Sequence, residues 1–176
     1  MRIGIDPGKT GAIVILEKEK EPKIYVIPTI KNELDIRELV NIFDNIFKES
    51  SDIHVVIEDV HAIFGASAGA TFEFGKICGI LEGMLACYKV PYTKIQPKIW
   101  QKEMWIGVSE VRNLSKINKN GKESKGRIDT KAMSLIAAKR LFPNVKLTDP
   151  KSSRATKPHS GIFDALLIAE YCKRKF

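Results

Sequence analysis

The 176-residue chain has few of the usual staples and anchors. Cysteine occurs three times, at Cys78, Cys87 and Cys172, without metal-ligand spacing. So sparse and odd a count excludes a disulfide framework and fits a reducing compartment. The three read as small apolar core residues. No stretch approaches the roughly 20 apolar residues that cross a bilayer, so no membrane contact is expected. A signal-peptide pattern is missing as well, because Asp6 and Lys9 break the first apolar run. Without repeats or a composition shift, one domain over residues 1–176 is expected. These absences predict a soluble, cytoplasmic protein. What is present is positive charge: 29 Lys and Arg against 21 Asp and Glu leave +8. A basic surface favours acidic partners, nucleic acid first among them.

Apolar periodicity orders the chain. "RIGID", "GAIVILE" and "KIYVIP" read as three strands joined by short turns, an antiparallel meander. Leu39, Ile42, Phe43 and Ile46 recur at helical spacing, giving an amphipathic helix that ends near Ser50. "DIHVVIED" is a strand covered on both faces. A long helix over about 68–88 carries small residues at Gly75, Gly79, Gly83 and Ala86. "VPYTKIQP" is a further strand, and Pro97 suits the first turn of the short helix "PKIWQKEMW". From about 107 to 128 the pattern dissolves into an irregular, mobile basic loop, with six Lys or Arg and one acid, Glu123, between Arg112 and Arg127. "DTKAMSLIAAKRLFP" is a helix capped by Asp129. A second basic segment leads to the last helix, "GIFDALLIAEYCKRKF". The order predicts an α/β fold, a mixed five-stranded sheet with three antiparallel and then parallel strands and helices on both faces.

Three acids interrupt apolar runs: Asp6 ending "RIGID", Glu58 ending "HVVIE", and Asp164 within "GIFDALLIAEY". Each has a structural reading of its own, as a turn cap, a strand end at solvent, or a complement to a helix N-terminus. Together, two central strands and one late helix deliver carboxylates to what would be one end of a sheet. Gathered carboxylates repel unless a cation screens them, and oxygen ligands of this kind select Mg²⁺ or Mn²⁺. Two such ions about 4 Å apart serve phosphodiester hydrolysis.

"IGIDPGKTGAI", "VIEDVHA", "FEFGKICGILEGML", "VPYTKIQPKIWQKEM" and "HSGIFDALLIAEY" resemble, in matching order over nearly the whole chain, the RuvC family of Holliday junction resolvases, its phage and phage-like branch above all. The resemblance implies a ribonuclease H-like fold and a homodimer. It also implies a divalent-metal nuclease, with pairs of Mg²⁺ (or Mn²⁺) ions and no small-molecule cofactor, that nicks four-way DNA junctions symmetrically. Asp6, Glu58 and Asp164 match the family's metal ligands. His159 stands where members supply another acid or a histidine, to bind metal or handle protons; a loop histidine with a backbone partner is the other reading. The phage-like pattern reads His-Asp-Gly here, whereas this chain has His159, Ser160 and Gly161. Serine caps helices well but ligates metal poorly, so one metal site is expected to be weak.

The resemblance also marks residues for DNA. His61 and Phe64 follow the second acid and would enter the junction centre, Phe64 by stacking unless it is a core aromatic. Lys102 and Lys131 match family lysines, the second close to the scissile phosphate, where it would neutralise charge; a solvated surface role is the other reading of both. Arg112, Lys116, Lys119, Lys122, Lys125 and Arg127 would grip phosphates, with Arg154 and Lys157 doing likewise beside the acids. Trp100 and Trp105 read as packing residues. The glycine stripe over 75–83 would pack either against a second copy, forming a two-fold dimer, or against the chain's own sheet. Two rivals stand beside this reading. "IDPGKTGAI" also resembles the phosphate loop of actin-like ATPases, but a chain this short holds no second copy of that domain. A branched-DNA-binding module without catalysis is the other, and Ser160 allows it.

Overall fold

The structure is a computed structural model, and it describes residues 1–48, 52–60, 65–117, 123–124 and 126–176. Three strands come first, β1 (Arg2–Asp6), β2 (Ala12–Leu16) and β3 (Lys23–Val26). A two-residue ladder of β4 (Thr29–Ile30) and β5 (Glu33–Leu34) leads to helix α1 (Ile36–Phe47) and strand β6 (His54–Glu58). Then follow α2 (Ala68–Cys87), β7 (Tyr92–Ile95) and α3 (Pro97–Met104). A second small ladder, β8 (Lys116–Ile117) with β9 (Glu123–Ser124), precedes α4 (Thr130–Leu141) and α5 (Ser160–Lys175). The main sheet has the order β3-β2-β1-β6-β7. Its first three strands in sequence pair antiparallel, while β1, β6 and β7 pair parallel. This is the mixed five-stranded sheet that the sequence predicts.

Side-chain alternation splits the core between the two faces. Ile3, Ile5, Val55 and Ile57 pack with Leu39 and Phe43 of α1 and with Ile77, Leu81 and Leu85 of α2. Val14, Leu16 and Val56 pack on the other face with α5, Trp100, Met104 and Ala137. Helix α5 is buried on nearly every side from Gly161 to Ala169, as a helix enclosed between a sheet and other helices must be. Two glycines let it sit that close. A Cβ on Gly4 would run into the backbone of Ala165 and Ala169, and one on Gly161 into that of Thr10 and Gly11. The start of α5 is therefore pressed against the β1–β2 turn, at the end of β1 where Asp6 lies.

Several local expectations change. Helix α1 stops at Phe47, and Ser50 lies outside the described residues. The β4–β5 hairpin was not foreseen; it turns on Lys31 and Asn32 at φ 49° and 65°, the left-handed pair that a tight hairpin needs. The basic loop carries ordered pairing among its described residues, with Lys116 opposite Ser124, Ile117 opposite Glu123, and Arg112 bridged to Ile128. Cys172 is buried as expected, but Cys78 is partly exposed and Cys87 exposed, because α2 presents that side outward. Among the described residues no helix is long and apolar enough to cross a membrane.

Candidate active site

Strands β1 and β6 lie side by side and parallel, with Ile5 opposite Ile57. Asp6 and Glu58, their last residues, consequently leave the sheet at the same end. Asp164 comes to them from α5 and is only 6% exposed, one of two buried polar side chains among the described residues; the other is Ser134.

The three acids feel one another. Burial pushes the Asp6 carboxyl well above the usual carboxylate range, and Glu58 and then Asp164 push it further. Glu58 is raised first by burial and also by Asp164, against a hydrogen bond from Trp100 that favours its charged form. Burial raises Asp164 too, opposed by Lys131 and by a hydrogen bond from the Ser134 hydroxyl.

Lys131 is the cation set among them. Asp129 caps α4 by accepting the Ala132 N–H at 3.0 Å, which puts Lys131 in the first turn. Its ammonium lies 2.5 Å from Asp164 Oδ2 and 5.9 Å from the centre of the Phe163 ring. The side chain is 59% exposed along its length, yet its charged tip is paired with Asp164. Burial works to lower its pKa, but attraction to Asp164, Asp6 and Glu58 outweighs that and raises it.

His159, rather than Ser160, is the N-cap of α5; Ser160 opens the helix one turn before Asp164. The His159 N–H donates to Leu147 O at 2.7 Å, while its buried Nδ1 has no hydrogen-bond partner. Among the described residues, no three His, Cys, Asp or Glu side chains stand close enough to hold an ion as they are. The chemistry of the donor set does fit a hard divalent cation: three carboxylates pushed toward protonation by burial and by one another, plus an unpartnered imidazole nitrogen.

The DNA candidates divide. Lys102, Arg127, Arg154 and Lys157 are exposed. Arg112 is engaged within its own loop, donating to Glu110 Oε1 at 2.5 Å and to Gly126 O at 2.7 Å. Lys116 contributes its backbone to β8. His61, Phe64, Lys119, Lys122 and Lys125 lie outside the described residues. Sequence reasoning missed the polar partners of the acids. Trp100 is 1% exposed, as a packing residue should be, but its indole N–H also donates to Glu58 Oε1 at 2.8 Å. Ser134 had no sequence signal.

No family model matches the chain, and no curated protein sequence matches it significantly. Solved structures do. One is Thermus thermophilus RuvC in complex with Holliday junction substrate, with a TM-score of 0.52 and 16% identity over 95% of this chain and 89% of that one. Another is the Thermus thermophilus RuvC structure, with a TM-score of 0.51 and 18% identity over the same shares. At such identities the likeness speaks for architecture, and the architecture of this chain is a ribonuclease H-like fold of the RuvC kind.

Proposed function

We propose that the chain is a divalent-metal-dependent nuclease for branched DNA, with the four-way junction as its preferred substrate. The observation that carries this reading is that Asp6 and Glu58, ending two parallel strands, leave the sheet toward the buried Asp164 of α5 and its Lys131 partner. Buried like charges are costly, and such clusters belong to functional sites more often than to scaffolds. The junction-bound RuvC neighbour supports the choice of substrate.

Asp6, Glu58 and Asp164, with His159 as a further donor, would hold Mg²⁺ or Mn²⁺, two ions per site. When bound, such ions supply a Lewis acid and an activated water. Lys131, released from Asp164, would neutralise charge gathering on the phosphate. Lys102, Arg127, Arg154 and Lys157 would hold flanking phosphates, joined by Lys116, Lys119, Lys122 and Lys125, and His61 and Phe64 would enter the branch point. These contacts set affinity and salt dependence rather than sequence choice. A homodimer making paired, symmetric nicks suits the outer face of α2. Gly75, Gly79 and Gly83 have open space where a Cβ would go, and Phe72 is 70% exposed. The chain's own sheet therefore leaves the glycine stripe uncovered. Membership of the phage-like branch rests on the quoted sequence motifs, from which Ser160 departs. Acting on DNA, the protein would work in the cytoplasm, at the nucleoid.

Ser160 favours a second reading, a junction-binding module with little catalysis. One experiment separates the two: incubation of a synthetic four-way junction beside a matched duplex, in Mg²⁺ and in Mn²⁺, with wild type, Asp6→Asn and Ser160→Asp. Junction cutting that Asp6→Asn abolishes is the expected result. Equal cutting of duplex would reduce the proposal to a general nuclease. Binding without cutting, restored by Ser160→Asp, would support the module.

A further inference from the structure

Helix α3 stands behind the acids, and both of the chain's tryptophans are on it or at its end. It leaves the sheet right beside Glu58, because β7 pairs Ile95 with Glu58 and Pro97, two residues on, opens the helix. One turn in, Trp100 Nε1 donates to Glu58 Oε1 at 2.8 Å. At the C-cap, Trp105 Nε1 donates to Ser134 Oγ at 3.3 Å, and Ser134, buried like Asp164, stands one turn after the Lys131 that pairs with Asp164. An indole can only donate. It therefore occupies the acceptor side of the Ser134 hydroxyl and leaves the single hydroxyl proton free to turn toward the Asp164 side of α4.

The helix is itself held. Arg140 of α4 donates to Met104 O at 3.1 Å and also to Ile106 O. Glu103 pairs with Lys175 of α5 at 2.8 Å. A segment tied to both neighbouring helices can fix the direction of side chains that it touches.

We propose that Trp100 and Trp105 are positioning residues: α3 uses its two indole N–H groups, one directly and one through Ser134, to aim the Glu58 and Asp164 carboxylates at a shared cation. The inference rests on the metal-dependent reading above. It differs from plain packing, for which the N–H groups would be incidental. Partners behind a ligand typically set metal affinity by about 10–100-fold.

The test reads the indoles themselves. Two tryptophans give two indole N–H signals in a ¹⁵N-labelled NMR spectrum of the whole chain, assigned with Trp105→Phe. Titration with Mg²⁺ alone should shift both along one binding curve, and Asp6→Asn should remove that curve. Ser134→Ala, a small change that spares the fold, should weaken Mg²⁺ binding about 10-fold and uncouple the Trp105 signal. Trp100→Phe should weaken it comparably. If the backbone signals of Asp6, Glu58 and Asp164 respond to Mg²⁺ while both indoles stay still, the positioning role is wrong and the metal site survives. The positioning role fails equally if Trp100→Phe and Ser134→Ala lower the melting temperature without changing Mg²⁺ affinity. Absence of any response, backbone included, would remove the metal-dependent reading and this inference with it.

Discussion

The two ends of the β1–β6 pair obey opposite rules. At one end, charges and polar atoms are matched. Arg2 donates to Asp52 Oδ1 at 3.1 Å and to Phe176 O at 2.9 Å. His54 Nε2 meets Thr93 Oγ1 at 3.0 Å, its ring stacks on Phe176 at 3.7 Å, and its carbonyl accepts from Cys172 Sγ at 3.3 Å. At the far end of the same strands, Asp6 and Glu58 are half-buried beside the buried Asp164, with Lys131 as the cation among them. Matching stabilises a fold; gathering like charge away from water costs stability. On the proposed reading, the acid end gives up stability for concentrated negative charge.

That contrast predicts opposite signs for one substitution. Asp6→Asn should lower junction cleavage by about 10²–10³-fold or more, and yet raise the melting temperature of the metal-free protein. The pKa of Asp6 is raised in the fold from its ordinary 3.8. Such an acid contributes its stability below the unfolded pKa and loses it as pH climbs through the folded one. Melting in chelator from acidic to neutral pH should therefore show wild type falling behind Asp6→Asn, by about 2–4 °C for each kcal/mol relieved. Added Mg²⁺ should reverse the order. A wild type that stays ahead at neutral pH without metal would break the contrast.

Gly4→Ala should disturb both ends together, since a methyl there meets the backbone of α5. A loss of about 3 kcal/mol in urea unfolding is expected. Gly79→Ala, with open space around it in the single chain, should instead be neutral for the monomer or favour its helix by about 0.5–1 kcal/mol, while weakening the proposed dimer. Lys131→Met should cost the metal-free fold about 1 kcal/mol, less than a fully buried pair would, because the lysine is more than half exposed. It should also tighten Mg²⁺ binding in calorimetry, because the ammonium competes for Asp164.

The acids were legible because each breaks an apolar run, and α1 because Leu39, Ile42, Phe43 and Ile46 keep a helical period. Gly4 was not, since a strand glycine says nothing of the helix that will cross it. The bond from Trp100 to Glu58 was hidden for a related reason. Periodicity marks Trp100 as buried, but only the pairing of β7 with β6 decides which side chain its N–H meets. Ser134 depends on how α3, α4 and α5 pack, a relation that no local spacing encodes. Arg112 was legible in part: an acid two residues away, Glu110, was an available partner that a count of basic residues passes over.

The smallest effect should come from the matched end. His54 is held below its ordinary pKa of 6.5, first by burial and then by Arg2. A histidine depressed in the fold contributes stability that is complete above the unfolded value and is lost as pH falls toward the folded one, because the unfolded chain takes up the proton first. Wild type should therefore lose a little stability on mild acidification below pH 6.5. His54→Gln, which can still bond Thr93, should flatten that slope at the cost of the Phe176 stack. The two slopes in metal-free protein then run in opposite directions, with Asp6 weakening the fold as pH rises and His54 weakening it as pH falls. In a double variant with Asp6→Asn, both should flatten independently, because the groups lie at opposite ends of their strands.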